Sequence, residues 1–121
     1  MLNLDTHILV FALNGTLTPA ERKLLSSDRW GVSAIVLWEM AKLTQLGRID
    51  VDISSPEFAR VLARVHVWPL DTAVCMQSTE LDFSSDPADE LIAATSVVYS
   101  APLVTRDSKI RKSKVVPLAH G

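Results

Sequence analysis

Short β-like runs that alternate with longer helical stretches predict an α/β protein with a central parallel sheet and helices on both faces. Two further observations support that class. A chain of 121 residues is long enough for one domain with a core and too short for two ordinary ones, so residues 1–121 are expected to form a single unit. Hydrophobic residues make up 48% of the chain, which excludes an intrinsically disordered protein.

The elements follow in order. Leu2–Leu4 is a short apolar run that predicts the first strand. Ile8–Leu13 and Pro19–Leu25 predict helices, the second with Thr18 as N-cap, Pro19 at its first position and Glu21 at N3. Trp30–Ser33 reads as the second strand, and Ala34–Leu46 as a long helix stopped by Gly47. Ser55 and Pro56 open a helix with Phe58, Val61, Leu62 and Val65 at helical spacing. Val67–Leu70 predicts the third strand and Ala73–Leu81 another helix, with Cys75 a core residue inside it. Asp86-Pro87 starts the next helix, with Leu91, Ile92, Thr95, Val98 and Tyr99 along one stripe. Leu103–Thr105 and Val115–Leu118 predict two last strands.

Composition removes several function classes. No apolar run reaches the ~20 residues of a membrane span, and Met1–Asp5 has no basic n-region, which predicts no signal peptide. One cysteine cannot form an internal disulfide, which suits a reducing cytoplasm. The chain has no Gly-x-Ser-x-Gly elbow, Walker loop or Gly-x-Gly-x-x-Gly turn. His7, His66 and His120 are isolated, and Cys75 has no partner at ligand spacing, which argues against zinc. The net charge of −2 argues weakly against a nucleic-acid partner. Its distribution qualifies that, because Lys109, Arg111, Lys112 and Lys114 crowd the C-terminal end.

In an open parallel sheet, sites form outside the carboxyl ends of the strands. Asp5-Thr6-His7 follows the first strand there; Ser33, with Glu39 beyond it, follows the second; Thr105-Arg106-Asp107 follows Leu103 and Val104. Asp86 and Asp89 open the helix that leads into that strand. Each acid has a structural alternative. Asp5 and Asp86 are good helix caps, Asp89 sits at N3, and Asp107 suits a turn. Glu39 is harder to explain that way. Its helical neighbours Ile35, Leu43 and Leu46 are apolar, and desolvating a carboxylate is expensive without a partner. Lys42 at i+3 is one candidate partner and a bound cation is the other. Carboxylates converging on one spot raise each other's pKa, and a hard divalent ion relieves that repulsion.

Leu-Asp-Thr-His at 4–7, a Ser-x-x-x-x-x-Glu helix opening at 33–39, Asp-Pro-x-Asp-x-Leu-Ile-Ala-Ala-Thr at 86–95 and Leu-Val-Thr-x-Asp at 103–107 occur in the order found in PIN-domain nucleases. The chain resembles that family over nearly its whole length, and within it the VapC-type toxins of bacterial toxin–antitoxin pairs. The resemblance implies a PIN-like nuclease domain in which Asp5, Glu39, Asp89 and Asp107 hold Mg²⁺ or Mn²⁺. Asp86 would be auxiliary, and Thr6, Ser33 and Thr105 would orient carboxylates or water. It also implies RNA as substrate, a cognate antitoxin as partner and a homodimer. Arg106, Lys109, Arg111 and Lys112 are expected to attract the RNA backbone. No base-stacking platform is recognisable. The family commonly has Arg where this chain has Glu90, which adds negative charge beside the site.

Two rivals fit less well. A haloacid-dehalogenase-type phosphatase needs Asp-x-Asp after the first strand, where His7 stands in the second position. A receiver domain needs an acidic pair and a late lysine in arrangements that are absent here. A non-catalytic PIN-fold binding module is the remaining alternative, although all four acids are retained.

Overall fold

The computed structural model describes residues 1–120. Its strands are β1 (Leu2–Leu4), β2 (Trp30–Ser33), β3 (His66–Trp68) and β4 (Leu103–Val104). They pair in parallel in the order β3-β2-β1-β4. The helices are α1 (Thr6–Asn14), α2 (Pro19–Leu25), α3 (Ala34–Gln45), α4 (Pro56–Leu62), α5 (Thr72–Gln77), α6 (Pro87–Tyr99) and α7 (Ser108–Arg111).

Local chemistry sets most boundaries. Thr18 and Glu21 form a reciprocal capping box on α2. Ser55 accepts from the Phe58 N–H to cap α4. The chain leaves α1 through Gly15 at φ 69°, the left-handed conformation that glycine adopts without a Cβ clash.

Three expectations are corrected. Val115–Leu118 forms no strand; its pairing is a single parallel bridge between Leu118 and Leu103. Lys114 N–H donates to Asp82, and the Val115 and Val116 N–H groups both turn to the Ser113 hydroxyl, so their donors are withdrawn from a ladder. Cys75 is exposed, not core. α5 is short and buries only Val74, so its other apolar residues, including Met76, face outward. That helix also stops at Gln77, short of the predicted Leu81.

The topology places the site. The chain moves outward from β1 through β2 to β3, then returns to lay β4 on the other side of β1. The order therefore reverses between β1 and β4, and a crevice opens at their carboxyl ends. Asn3 fixes α6 against that point. Its buried amide donates to the Ile92 carbonyl at 3.0 Å and to the Ser96 hydroxyl at 2.9 Å. Leu4, Val32, Ile92, Leu103 and Ile110 pack beneath as part of one continuous core.

Candidate active site

Asp5, Thr105 and Asp107 leave the ends of β1 and β4, while Glu39 comes from α3 and Asp89 from the first turn of α6. Asp5 is buried. It occupies the N-cap position of α1 and accepts from the Thr6 N–H at 2.8 Å through Oδ1. Its Oδ2 accepts from the Thr105 hydroxyl at 2.6 Å. The capping reading of Asp5 is thus correct for one oxygen, and the other faces the second wall of the crevice.

Glu39 accepts a short hydrogen bond of 2.5 Å from the Thr6 hydroxyl. Lys42 is not its partner and lies over the Trp38 ring instead. Asp89 accepts from the Ser85 hydroxyl at 2.9 Å. Asp86 sits at the N-cap of α6 but makes no side-chain cap bond, so the expected cap is not formed. Glu90 accepts from the Ser85 N–H at 3.3 Å, which gives the residue found in place of arginine a local structural role. Asp107 caps α7 through Oδ1, accepting from the Lys109 and Ile110 N–H groups.

Burial and mutual repulsion act on three of these acids together. Burial raises the Asp5 pKa most; its hydrogen bonds to Thr105 and Thr6 oppose this and the Asp107 charge adds to it. Glu39 is raised by burial, then by the charges of Asp89 and Asp5, against the Thr6 bond. Asp89 is raised by burial, and further by Asp5, Asp107 and Asp86, against the Ser85 bond. The same carboxylates appear in one another's fields, so they share one electrostatic site.

A cleft lined by Asp5, His7, Ile8, Phe11, Asp89, Arg106 and Asp107 meets a second cleft at His7, Phe11 and Asp89. The second is lined by Glu39 and Asp86 together with Asn14, Arg48 and Asp50. A more apolar hollow between Arg29, Trp30, Val61, Arg64 and Val65 lies by the opposite, amino ends of β2 and β3 and has no acid in its lining.

The other expected residues are dispersed around this groove. Ser33 is fully buried, and its hydroxyl accepts from the Ile35 N–H to cap α3. Arg106 makes a two-pronged ion pair with Glu21, Nε to Oε2 and Nη2 to Oε1, both at 2.7 Å. Its guanidinium lies 3.9 Å over the Phe11 ring. Lys109 donates to the Ser84 carbonyl and Arg111 to the Thr105 carbonyl. Lys112 lines a separate hollow with Asp82 and Phe83. Sequence reading missed Phe11, Glu21, Arg48 and Ser85. Glu21 signalled only a capping box, and nothing linked it to Arg106.

Among the described residues, no three Asp, Glu, His or Cys side chains already stand as a closed ligand set. The acids instead hold Thr6, Ser85, Thr105 and backbone donors. Their chemistry still fits one class of ion. The donors are hard carboxylate oxygens, partly desolvated and mutually repelling, which suits an oxygen-preferring divalent cation and not zinc.

The sequence profile of the family described as "PIN domain" matches residues 3–115. The chain is 33% identical over 101 residues to ribonuclease VapC22 of Mycobacterium tuberculosis (strain ATCC 25618 / H37Rv), covering 78% of this chain and 75% of that protein. Solved structures are similar in fold. VapBC2 from Rickettsia felis, bound to a promoter DNA fragment, superposes with TM-score 0.71 at 20% identity, covering 98% of this chain and 97% of that one. FitAcB from Neisseria gonorrhoeae gives 0.67 at 20% identity, covering 99% and 97%. A toxin–antitoxin complex from Klebsiella pneumoniae gives 0.68 at 17%, covering 93% and 91%. With its profile matched from the first strand to beyond the last, and its acids gathered where the strand order reverses, the chain belongs to the PIN-domain family.

Proposed function

We propose that this protein is a metal-dependent endoribonuclease that hydrolyses RNA phosphodiester bonds, acting as the toxin of a toxin–antitoxin pair. The observation that carries the reading is the shared field of Asp5, Glu39, Asp89 and Asp107 at the β1/β4 crevice, which with burial holds Asp5, Glu39 and Asp89 above their ordinary pKa. The likeness to a ribonuclease and to toxin–antitoxin complexes supports it.

Asp5, Glu39, Asp89 and Asp107 are the residues that would hold Mg²⁺ or Mn²⁺, with Asp86 an auxiliary charge on the same groove. Such an ion supplies an activated water and neutralises charge on the leaving oxygen. The chain's own residues orient the site. Thr105 holds one Asp5 oxygen and Thr6 holds Glu39, so both carboxylates keep fixed directions. Ser85 does the same for Asp89. His7 is exposed at the shared border of the two clefts, where RNA would pass. The proposed setting is the cytoplasm; among the described residues no helix is long and apolar enough to cross a membrane. The proposed assembly is a homodimer, supported by Trp38 and Leu46, which are 55% and 63% exposed.

The test is Asp5→Asn, compared with wild type on a mixed RNA pool with and without EDTA. Asn keeps the shape and can still accept from Thr6, and loses the charge. Cleavage should collapse while the metal-free protein melts near the wild-type temperature. In cells, the wild type expressed without a partner should arrest growth, and the variant should not. Wild-type cleavage by Asp5→Asn would show that the acids serve only as caps. Light scattering at the mass of one chain, at every accessible concentration, would remove the dimer.

A further inference from the structure

Arg106 is placed as an electrostatic handle for RNA would not be. Its Nε and Nη2 edge is fully engaged by Glu21, so the pair is close to neutral. One face of the guanidinium is covered by Phe11 at 3.9 Å, and Nη2 also reaches toward the Thr16 carbonyl at 3.5 Å. Yet the Arg106 side chain remains 43% exposed, and it borders the cleft that holds Asp5, Asp89 and Asp107. That exposure leaves part of the guanidinium open beyond its Glu21 edge and its Phe11 face. Glu21 is itself fixed, since its carboxylate accepts from the Thr18 N–H within the α2 capping box. The plane is therefore held by three elements: α1 beneath it, α2 along its edge and the β4–α7 turn that carries it.

We infer that the Phe11–Arg106 pair is a stacking platform for one unpaired RNA base beside the carboxylate site, with Glu21 as the residue that positions it. A guanidinium plane stacks on nucleobases as aromatic rings do, and single-stranded RNA presents such bases. The acidic neighbourhood favours this role over phosphate capture, because a neutralised arginine adds little attraction for the backbone. The platform also selects substrate: a base paired in a duplex cannot be splayed onto it, so single-stranded segments are preferred. This inference rests on the ribonuclease reading for its ligand, but its measurement does not need cleavage.

The experiment is fluorescence anisotropy with short labelled single-stranded RNAs in EDTA, in which one abasic position is moved along the strand. Wild type should lose about tenfold in affinity at one position. Arg106→Lys keeps the charge and loses the plane; it should bind intact RNA about tenfold more weakly, and that abasic position should become silent. Phe11→Leu, which leaves the guanidinium unsupported, should behave likewise. Glu21→Gln should lose the abasic sensitivity and, with Arg106 uncompensated, steepen the salt dependence by about one charge. A purely structural Glu21 would leave that slope unchanged. Wild-type affinity for Arg106→Lys, losses that multiply when the variant meets the abasic strand, or no RNA binding at all would each overturn the platform. RNA that is bound with this signature and never cut would sink the ribonuclease reading alone. Cutting with multiplying losses would sink the platform alone.

Discussion

The Thr105 hydroxyl donates to Asp5 Oδ2 at 2.6 Å and accepts from the Asp107 N–H at 3.0 Å, so one side chain ties the ends of β1 and β4 together at the carboxylate site. Removing the hydroxyl while keeping the shape isolates that tie. Thr105→Val should cost about 1–3 kcal/mol in denaturant unfolding, because a buried carboxylate oxygen and a backbone N–H lose their partner. RNA cleavage should fall roughly 10–100-fold, as expected when a ligand's supporting hydrogen bond is removed. Thr105→Ser should restore most of both. Cleavage by Thr105→Val at the wild-type rate would show that Asp5 is oriented by Thr6 alone.

Divalent ions should stabilise the fold. Burial and like charge raise Asp5, Glu39 and Asp89 above their ordinary pKa values, so their charged forms are disfavoured without a counter-ion. An ion bound only by the native state stabilises it by about 2.7 kcal/mol at a hundred times its Kd, or roughly 10 °C in Tm. Thermal melts in Mg²⁺ or Mn²⁺ against EDTA measure this directly. Asp89→Asn should abolish the rise without lowering the metal-free Tm, since it removes one repelling charge. Equal melts for wild type with and without saturating ion would rule out the site.

The acids of this site were legible in sequence because parallel strands bring their carboxyl ends to one edge, so Asp5 and Asp107 needed only strand order to meet. Thr6 and Thr105 lie beside them in the chain, and only the resemblance to PIN-domain nucleases implied their orienting role. Glu39 was legible as an anomaly, a charge on an apolar helix face. Other features depend on partners distant in sequence. Glu21 and Arg106 lie 85 residues apart, and no local pattern signals that pairing. Cys75 looked like core because its neighbours are apolar, but a six-residue helix presents only one narrow face inward. Val115–Leu118 has strand composition, and its backbone donors go to Ser113 instead.

The Glu21–Arg106 pair should mark the acid limb of the stability curve. The Arg106 guanidinium pulls the Glu21 pKa from 4.5 down to about 2. A carboxyl depressed in the folded state contributes stability that is complete above its unfolded value and fades as pH falls through its folded one. The gap in unfolding free energy between wild type and Glu21→Gln should therefore be full at pH 6 and shrink from about pH 4.5 toward pH 2. Arg106 is substantially exposed, so the full gap should be about 1 kcal/mol or less and should narrow in high salt. A gap that persists unchanged at pH 2 would assign the loss to the capping box and not to the ion pair.

Gly31 shows how closely the β2–β3 side of the sheet is packed. It lies in β2, and a Cβ built on it would stand 2.5 Å from Trp68 Cζ3 and 2.6 Å from Cη2. The Trp68 ring is nearly buried and is held from two other sides, stacked on Tyr99 at 5.9 Å and edge-on to His66 at 5.1 Å. It has little room to retreat, and one added methyl must displace either the indole or the strand. Gly31→Ala should therefore destabilise by about 1–3 kcal/mol, the usual range for overpacking. Pairing it with Trp68→Leu tests the cause. The indole is then gone, so the alanine should cost far less in the double variant than alone, a coupling visible in denaturant midpoints. The contact lies on the β2–β3 side of the sheet, away from the β1/β4 crevice, so RNA cleavage by Gly31→Ala measured well below its Tm should match wild type. If both single losses simply add, the glycine is required for a reason other than the Trp68 ring.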